Sequence, residues 1–348
     1  MFYVRPIAQD DLAAVLALSE HTGAGLTTLP ANRDRLSERI ARSVASFAGS
    51  ASRADACYVF VLVEDGAERV VGIAAIEAAV GLREPWYNYH VGTLVHASRA
   101  LDVYTAAPTL FLANDHTGHT ELCSLFLDQG YRHANNGRLL AKSRLLFIAE
   151  FGDRFAPKVI AELRGKLDAD NRSPFWEGLG RHFFAMEYST ADYLTGIGQK
   201  SFVAELMPRH PVYVNLLPES ARAVIGEVHD DTRPARTLLE QEGFRYEGYV
   251  DIFDAGPTLE CFRDNIHAVR QSLVVPAAIA GPSPSVQTQN GSRVWIVANR
   301  RFEDFRVILA EAPARFARFP LAAAAAARLA VADGDTVRAV PLSPKDRR

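Results

Sequence analysis

From Thr120 to Phe151 the chain reads TELCSLFLDQGYRHANNGRLLAKSRLLFIAEF: an apolar run, a polar loop with Gly130 and Gly137, and a long segment of helical period. A strand, loop and helix in that order leave the first helical N–H groups unpaired, and with the helix dipole they form a cradle that favours phosphate. The amides near Asn136 and Gly137 are the expected donors, and Arg132, Arg138, Lys142 and Arg144 are near enough in sequence to add positive charge. His229 lies in GEVHDDTRP beside Asp230 and Asp231, whose charges are expected to raise its pKa and favour an imidazolium. His116 and His119 in DHTGH have a spacing that can bind metal but lack a third ligand, so no metal is expected. Cys123, inside an apolar run, reads as packing rather than as a nucleophile.

The bulk properties narrow whose phosphate is involved. A chain of 348 residues is long for one core and suits two or three units. Its 38 basic and 41 acidic residues leave a formal charge of −3, too balanced for binding that rests on nucleic-acid phosphates or anionic lipid, so a small-molecule site is favoured. Cys57, Cys123 and Cys261 are odd in number and widely spaced, which suits reduced thiols in a cytosolic core. The start, MFYVRPIAQDDL, carries charge in place of an apolar signal, and no apolar run reaches the roughly 18 residues of a membrane span. A cytoplasmic protein with no nucleic-acid or membrane partner is expected.

The elements that must position these residues follow from periodicity. Phe2 to Arg5 reads as a strand, AQDDLAAVLALSEHT and ANRDRLSERIARSVASFAG as helices, and GAGLTTLP between them as a loop that either covers a substrate or simply connects. CYVFVLVEDGAERVVGIAAIEAAVG gives two strands about Asp65-Gly66. A less regular region follows, then TLFLAND and ELCSLFL as strands. Beyond Asp153, KSFVAELM, HPVYVNLLP and FRYEGYVDIFDAG are strand-like, while PESARAVIGEVH and TRPARTLLEQEG are short helices. VVPAAIAGPSPSVQTQNGS reads as a linker, and the remainder as a small β-rich appendage with an alanine-rich helix.

The element order, with Arg132-His133-Ala134-Asn135-Asn136-Gly137, resembles the GNAT acyltransferase superfamily, whose pyrophosphate loop follows the fourth strand with the pattern R/Q-x-x-G-x-G/A. Asn135 stands where glycine is usual, and asparagine visits left-handed backbone more readily than most residues. Pro234 to Phe253 looks like that superfamily's closing helix and strand. Over nearly its whole length the chain is similar to the arginine N-succinyltransferase family, through GLREPWYNYHVGTLVHASRALDVY, NDHTGHTELCSLFL, RLLAKSRLLFIAEF, SPFWEGLGRHFFAMEYSTADYL, AELMPRHPVYVNLLP and GFRYEGYVDIFDAGPTLEC.

The resemblance implies an α+β protein with a GNAT-like core (1–152), a second related α/β half (153–270), a linker (271–292) and a small β-rich C-terminal subdomain (293–348). It implies succinyl transfer from succinyl-CoA to the α-amino group of L-arginine in arginine catabolism, with no tightly bound cofactor. An ornithine-preferring succinyltransferase, or a non-catalytic subunit of a hetero-oligomeric succinyltransferase, is the alternative, and a homo- or hetero-oligomer with a paralogous subunit is the expected assembly. It implies acyl-CoA contact at Leu125 and a proton-donor role at His229; some GNAT enzymes place a general-base glutamate near Glu121. Strand alternation would put Glu121, Cys123 and Leu125 on one face, with Leu125 acting through its main chain on the pantetheine arm. Asp251, Asp254 and Glu260 are conceivable partners for a guanidinium.

Overall fold

Runs rich in Val, Ile and Phe supply strands on both sides of the Thr120–Phe151 motif. The computed structural model describes residues 1–21, 28–199, 201–280 and 292–343; the expected loop Gly23 to Pro30 lies, up to residue 27, outside the described residues. The first part runs β1 (Phe2–Pro6), α1 (Leu12–Ser19), α2 (Arg33–Phe47), β2 (Cys57–Glu64), β3 (Arg69–Glu77), β4 (Asn88–Ser98), β5 (Val103–Ala113), β6 (Thr120–Leu127) and α3 (Asn136–Glu150). The middle part is β7 (Lys158–Glu162), α4 (Arg181–Phe184), α5 (Tyr188–Gly196), α6 (Ser201–Leu206), β8 (Val212–Tyr213), α7 (Glu219–Arg222), α8 (Arg233–Gln241), β9 (Arg245–Val250), β10 (Pro257–Phe262) and α9 (His267–Gln271). The last part is β11 (Leu273–Ala280), β12 (Ser292–Ala298), β13 (Val307–Pro313), β14 (Phe319–Ala322), α10 (Ala323–Leu329) and β15 (Thr336–Pro341).

All these strands join one sheet in the order β14-β11-β15-β12-β13-β1-β2-β3-β6-β7-β10-β9-β4-β5-β8. The class is α+β, as expected, and the sheet runs unbroken across residue 152. One apolar cluster on the sheet gathers α3 with β2, β6 and β10, and another gathers α1, α2 and α10 with β2, β12 and β13. A third lies beneath the β4–β5 arm, built on Tyr89, Leu110, Trp176 and Phe184.

Helix α3 is buried nearly all round, including Leu139, Leu140, Leu145, Leu146, Phe147 and Ile148, each worth about 1.5–3 kcal/mol when removed from water. The sequence suggests an amphipathic helix; α9 and the C-terminal strands cover the face that would otherwise be wet.

Four segments differ from the sequence reading, among them HPVYVNLLP, which keeps only the two-residue strand β8 before a 3-10 turn at Val214–Leu216. The less regular region holds β4 and much of β5, paired along their whole length from Asn88↔Ala113 to Ser98↔Val103. KSFVAELM contains helix α6, a short apolar run in which periodicity does not separate strand from helix. The first part of the expected linker is strand β11, which pairs β15 through Leu273–Pro276 and β14 through Ala277–Ala280. The change of partner falls at Pro276, so its missing N–H is not asked to serve a ladder on both sides.

Candidate active site

Strands β6 and β7 run parallel but pair only at Thr120↔Val159 and Glu121↔Ile160. Beyond Glu121 they separate, and a cleft of about 810 Å³ opens along the released edge of β6, reaching the loop before α3. On the other edge of β6, the register with β3 steps from Ala75↔Cys123 to Ile73↔Phe126. Ser124 and Leu125 therefore share the span opposite Ala74, with Ser124 in left-handed backbone at φ 53°: a β-bulge. The bulge reverses the expected alternation. Cys123 and Phe126 pack toward α1 and α2, whereas Leu125 joins Leu122 and Leu127 on the α3 face.

Arg144 pins this bulge. Its guanidinium donates to Cys123 O at 3.0 Å and Ala75 O at 3.3 Å, and its Nε donates to Ala141 O. Burial pulls its pKa down to about 10, with the nearby Glu121 charge opposing. Arg144 was expected near phosphate; its donors instead serve carbonyls of the sheet.

The loop before α3 turns through Ala134 at φ 50° and Asn135 at φ 64°, so asparagine does take the backbone conformation expected where glycine is usual. Asn136 N donates to His133 O at 3.0 Å and Asn136 Nδ2 to Tyr131 O at 3.1 Å, which spends that residue on the turn. Among the described residues, the N–H groups of Ala134, Asn135, Gly137 and Arg138 meet no acceptor, and all four residues line the cleft. Arg132 Nε donates to Leu127 O, and Arg138 is exposed, reaching Ser343 Oγ at 3.0 Å. Lys142 faces away from phosphate altogether: it pairs with buried Glu242 at 2.8 Å and donates to Leu342 O at 3.0 Å.

A second chamber of about 830 Å³ adjoins the cleft, and Thr28, Glu162, Asp251 and Phe253 line both. The seam is acidic. Asn88 Nδ2 donates to Glu162 Oε1 at 2.6 Å; burial, then the charges of Asp251 and Glu121, raise the Glu162 pKa well above the carboxylate range. Asp251 Oδ1 accepts from Phe253 N and Asp254 N, yet burial and the Asp254 charge raise it strongly too. Asp254 is clasped by Gly165 N at 2.7 Å and Gly256 N at 2.8 Å. A Cβ at Gly256 would stand 2.0 Å from Leu163 O, so only glycine permits that clasp. Carboxyl groups buried and crowded beside an open chamber favour a cationic ligand, whose charge would offset the cost of ionising them there.

Comparison with known proteins bears on what this arrangement serves. The family model described as "Arginine N-succinyltransferase beta subunit" matches residues 2–268, and that described as its C-terminal domain matches 278–341. The arginine N-succinyltransferase of Enterobacter sp. (strain 638) is 52% identical over 347 residues, covering 100% of this chain and 99% of the relative. That of Yersinia pseudotuberculosis serotype O:3 (strain YPIII) is 51% identical over 350 residues, covering 100% of both. This chain belongs to the arginine N-succinyltransferase family. A solved structure, the arginine/ornithine succinyltransferase subunit AI from Pseudomonas aeruginosa, superposes with a TM-score of 0.89 at 34% identity, covering 99% of both chains.

Within this arginine N-succinyltransferase family member, the structure brings Glu121, Leu125, Arg132, Asn136, Gly137 and Arg138 into one cleft wall. His229 is not itself among the residues that line the cleft; its N–H bonds Arg164 O at 2.9 Å, and Arg164, Asp231 and Thr232 around it do line the cleft. The expected upward shift of its pKa is reversed. Burial, then the Arg164 charge, lower the His229 pKa, and Asp231 and Asp230 do not compensate. His229 Nδ1 also accepts from Asp231 N at 3.2 Å, a bond the imidazolium would lose. Glu260 is spoken for: it pairs with His116 at 2.7 Å and Lys158 at 2.5 Å, and these bonds overcome burial to bring its pKa down to about 2. That also uses His116, which bridges Glu260 and Asn88 through both ring nitrogens. Burial pushes the Cys123 thiol well up, consistent with packing. Glu162 and Asn88 escaped the sequence reading; a carboxylate in the apolar run KVIAEL was the available signal.

Proposed function

We propose that this acyltransferase moves the succinyl group of succinyl-CoA to the α-amino group of L-arginine, releasing CoA. The observation that carries the reading is the cleft itself: an unpaired edge of β6 and a row of free amides at the start of α3, opening onto a carboxylate-lined chamber. The CoA diphosphate sits against the amides of Gly137 and Arg138 with Arg132 nearby, and the pantetheine arm runs along β6, bonded to the Leu125 main chain. The thioester then lies at the bulge, where backbone N–H polarises its carbonyl. The arginine guanidinium takes the seam carboxylates Glu162 and Asp251, displacing their protons.

Glu121 accepts a proton from the α-ammonium, the freed amine forms the N–C bond, and the C–S bond breaks as the carbonyl re-forms, the nitrogen shedding its surplus proton to the departing thiolate of CoA. His229 carries that proton through Nε2, giving its Nε2–H to the departing sulfur as it takes up the proton shed by the nitrogen, with Nδ1 held by Asp231 N. The reaction needs no tightly bound cofactor. No helix among the described residues is long and apolar enough to cross a membrane, and three buried free cysteines suit the reducing cytoplasm.

Thiol release should be measured for the pure chain across arginine, ornithine and lysine, with succinyl-CoA and acetyl-CoA as donors. Succinyl-CoA with arginine is expected to be fastest. Faster turnover with ornithine reassigns the acceptor. No release with any pair overturns the catalytic reading in favour of a non-catalytic subunit.

A further inference from the structure

Helix α2 is fixed to the sheet through Leu36, Ile40 and Phe47, and through Ser43 and Ser46, whose hydroxyls accept from Val59 N and Cys57 N. This anchoring carries Arg39 and Arg42 to the wall of the second chamber. Arg39 is held firmly: it donates to Thr28 O and approaches Cys123 Sγ at 3.3 Å, and its side chain is 14% exposed. Its nearest carboxylate is shared with Arg42. Among the described residues, the one carboxylate in reach, Glu77, spends both oxygens on Arg42 at 2.5 Å and stands 3.4 Å from Arg39. Arg39 Nε is buried without a partner. Burial raises the pKa values of Cys57 and Cys123, so neither thiol supplies a negative charge. The neighbouring stretch 22–27, TGAGLT, contains no charged residue. Two guanidinium groups, Arg39 largely buried and Arg42 partly exposed, therefore share one carboxylate at the edge of an open chamber, an excess of positive charge that an anionic ligand relieves.

We propose that Arg39 is a carboxylate-binding residue of this enzyme, holding a substrate carboxylate beside Cys123. The inference rests on the acyl-transfer reading above and names a contact that reading leaves open. Cys123 directly precedes the bulge, so a carboxylate on Arg39 would lie on the same stretch of β6 as the place proposed for the thioester. Two carboxylates in the reaction fit: the free end of the succinyl group and the α-carboxylate of arginine. Planar guanidinium matches either through paired hydrogen bonds. The chamber is then bipolar, cationic at Arg39 and acidic at Glu162 and Asp251.

The test compares kcat/KM and Kd in the wild type, Arg39→Met and Arg39→Lys. The donor arm sets succinyl-CoA against butyryl-CoA, which lacks the free carboxylate; the acceptor arm sets arginine against agmatine, which lacks the α-carboxylate. In one arm, Arg39→Met should lower binding and turnover of the carboxylate-bearing substrate about 100-fold while leaving its analogue nearly unchanged. The arm that responds identifies the source. Arg39→Lys, which keeps the charge but not the fork, should keep part of the preference, with a loss of about 10-fold. Thermal unfolding checks that each variant is folded, and the Lys variant decides alone if Met does not fold. Equal losses for substrate and analogue in both arms, or no loss, overturn the proposal. A wild type that turns nothing over sinks the acyl-transfer reading separately, because the Kd comparisons decide the Arg39 contact without turnover.

Discussion

Replacing Arg144 by methionine should separate folding from catalysis. The guanidinium makes three hydrogen bonds to carbonyls, worth roughly 1 kcal/mol each and roughly 3 together. Against this, a pKa of about 10 in place of the ordinary 12.5 makes its charged form roughly 3 kcal/mol less favourable than in water, at about 1.4 kcal/mol per tenfold. Methionine fills much of the volume, loses the bonds and removes the penalty, so stability should change by less than about 2 kcal/mol. The geometry of the bulge should suffer more. Cys123 O and Ala75 O lose the group that ties them, Leu125 shifts, and a displacement near 1 Å at the reacting centre costs about 100-fold. Thiol-release kinetics should show kcat down about 10–100-fold, with CoA affinity preserved because the amides of Gly137 and Arg138 are untouched. A stable variant with wild-type kcat refutes the claim that this guanidinium holds the bulge in its working shape.

Lys142→Met should cost about 3–5 kcal/mol in denaturant unfolding by stranding Glu242, which is 1% exposed, while Lys142→Met with Glu242→Gln recovers most of it; equal losses would show the pair is not coupled. The lowered His229 pKa means its contribution to stability is present above the unfolded value of about 6.5 and is lost as pH falls through that value toward the folded one. Arg164→Met removes a cause of that lowering, so the imidazole NMR titration should move up, and an unmoved titration would exclude the Arg164 charge as a cause. Glu162 and Asp251 have raised pKa values, so arginine binding at mildly acidic pH should release protons, seen calorimetrically as buffer-dependent heat that Glu162→Gln reduces; heat independent of buffer argues against a guanidinium at the seam.

The strand–loop–helix at the phosphate cradle was legible because local signals agree there: an apolar run through ELCSLFL, turn-formers through DQGY, then a helical period. The β2–β3 hairpin about Asp65-Gly66 was legible for the same reason. What the sequence hid was set by distant partners. Ser124 carries no mark of a left-handed residue, and its bulge depends on Arg144 twenty positions on. The seam joins Glu162 from β7, Asn88 from β4 and Asp251 after β9, a meeting made by sheet order rather than by spacing. His229 was legible as a candidate, but its charge state was not, because Arg164 and burial outweigh the adjacent aspartates that sequence displays.

The account stands or falls on where the donor lies, and a crystal structure with bound CoA tests that most directly. The diphosphate is expected within hydrogen-bonding distance of the Gly137 and Arg138 amides, with the pantetheine arm against the free edge of β6 at Leu125. A fully bound CoA lodged elsewhere, with this cleft empty, would contradict it.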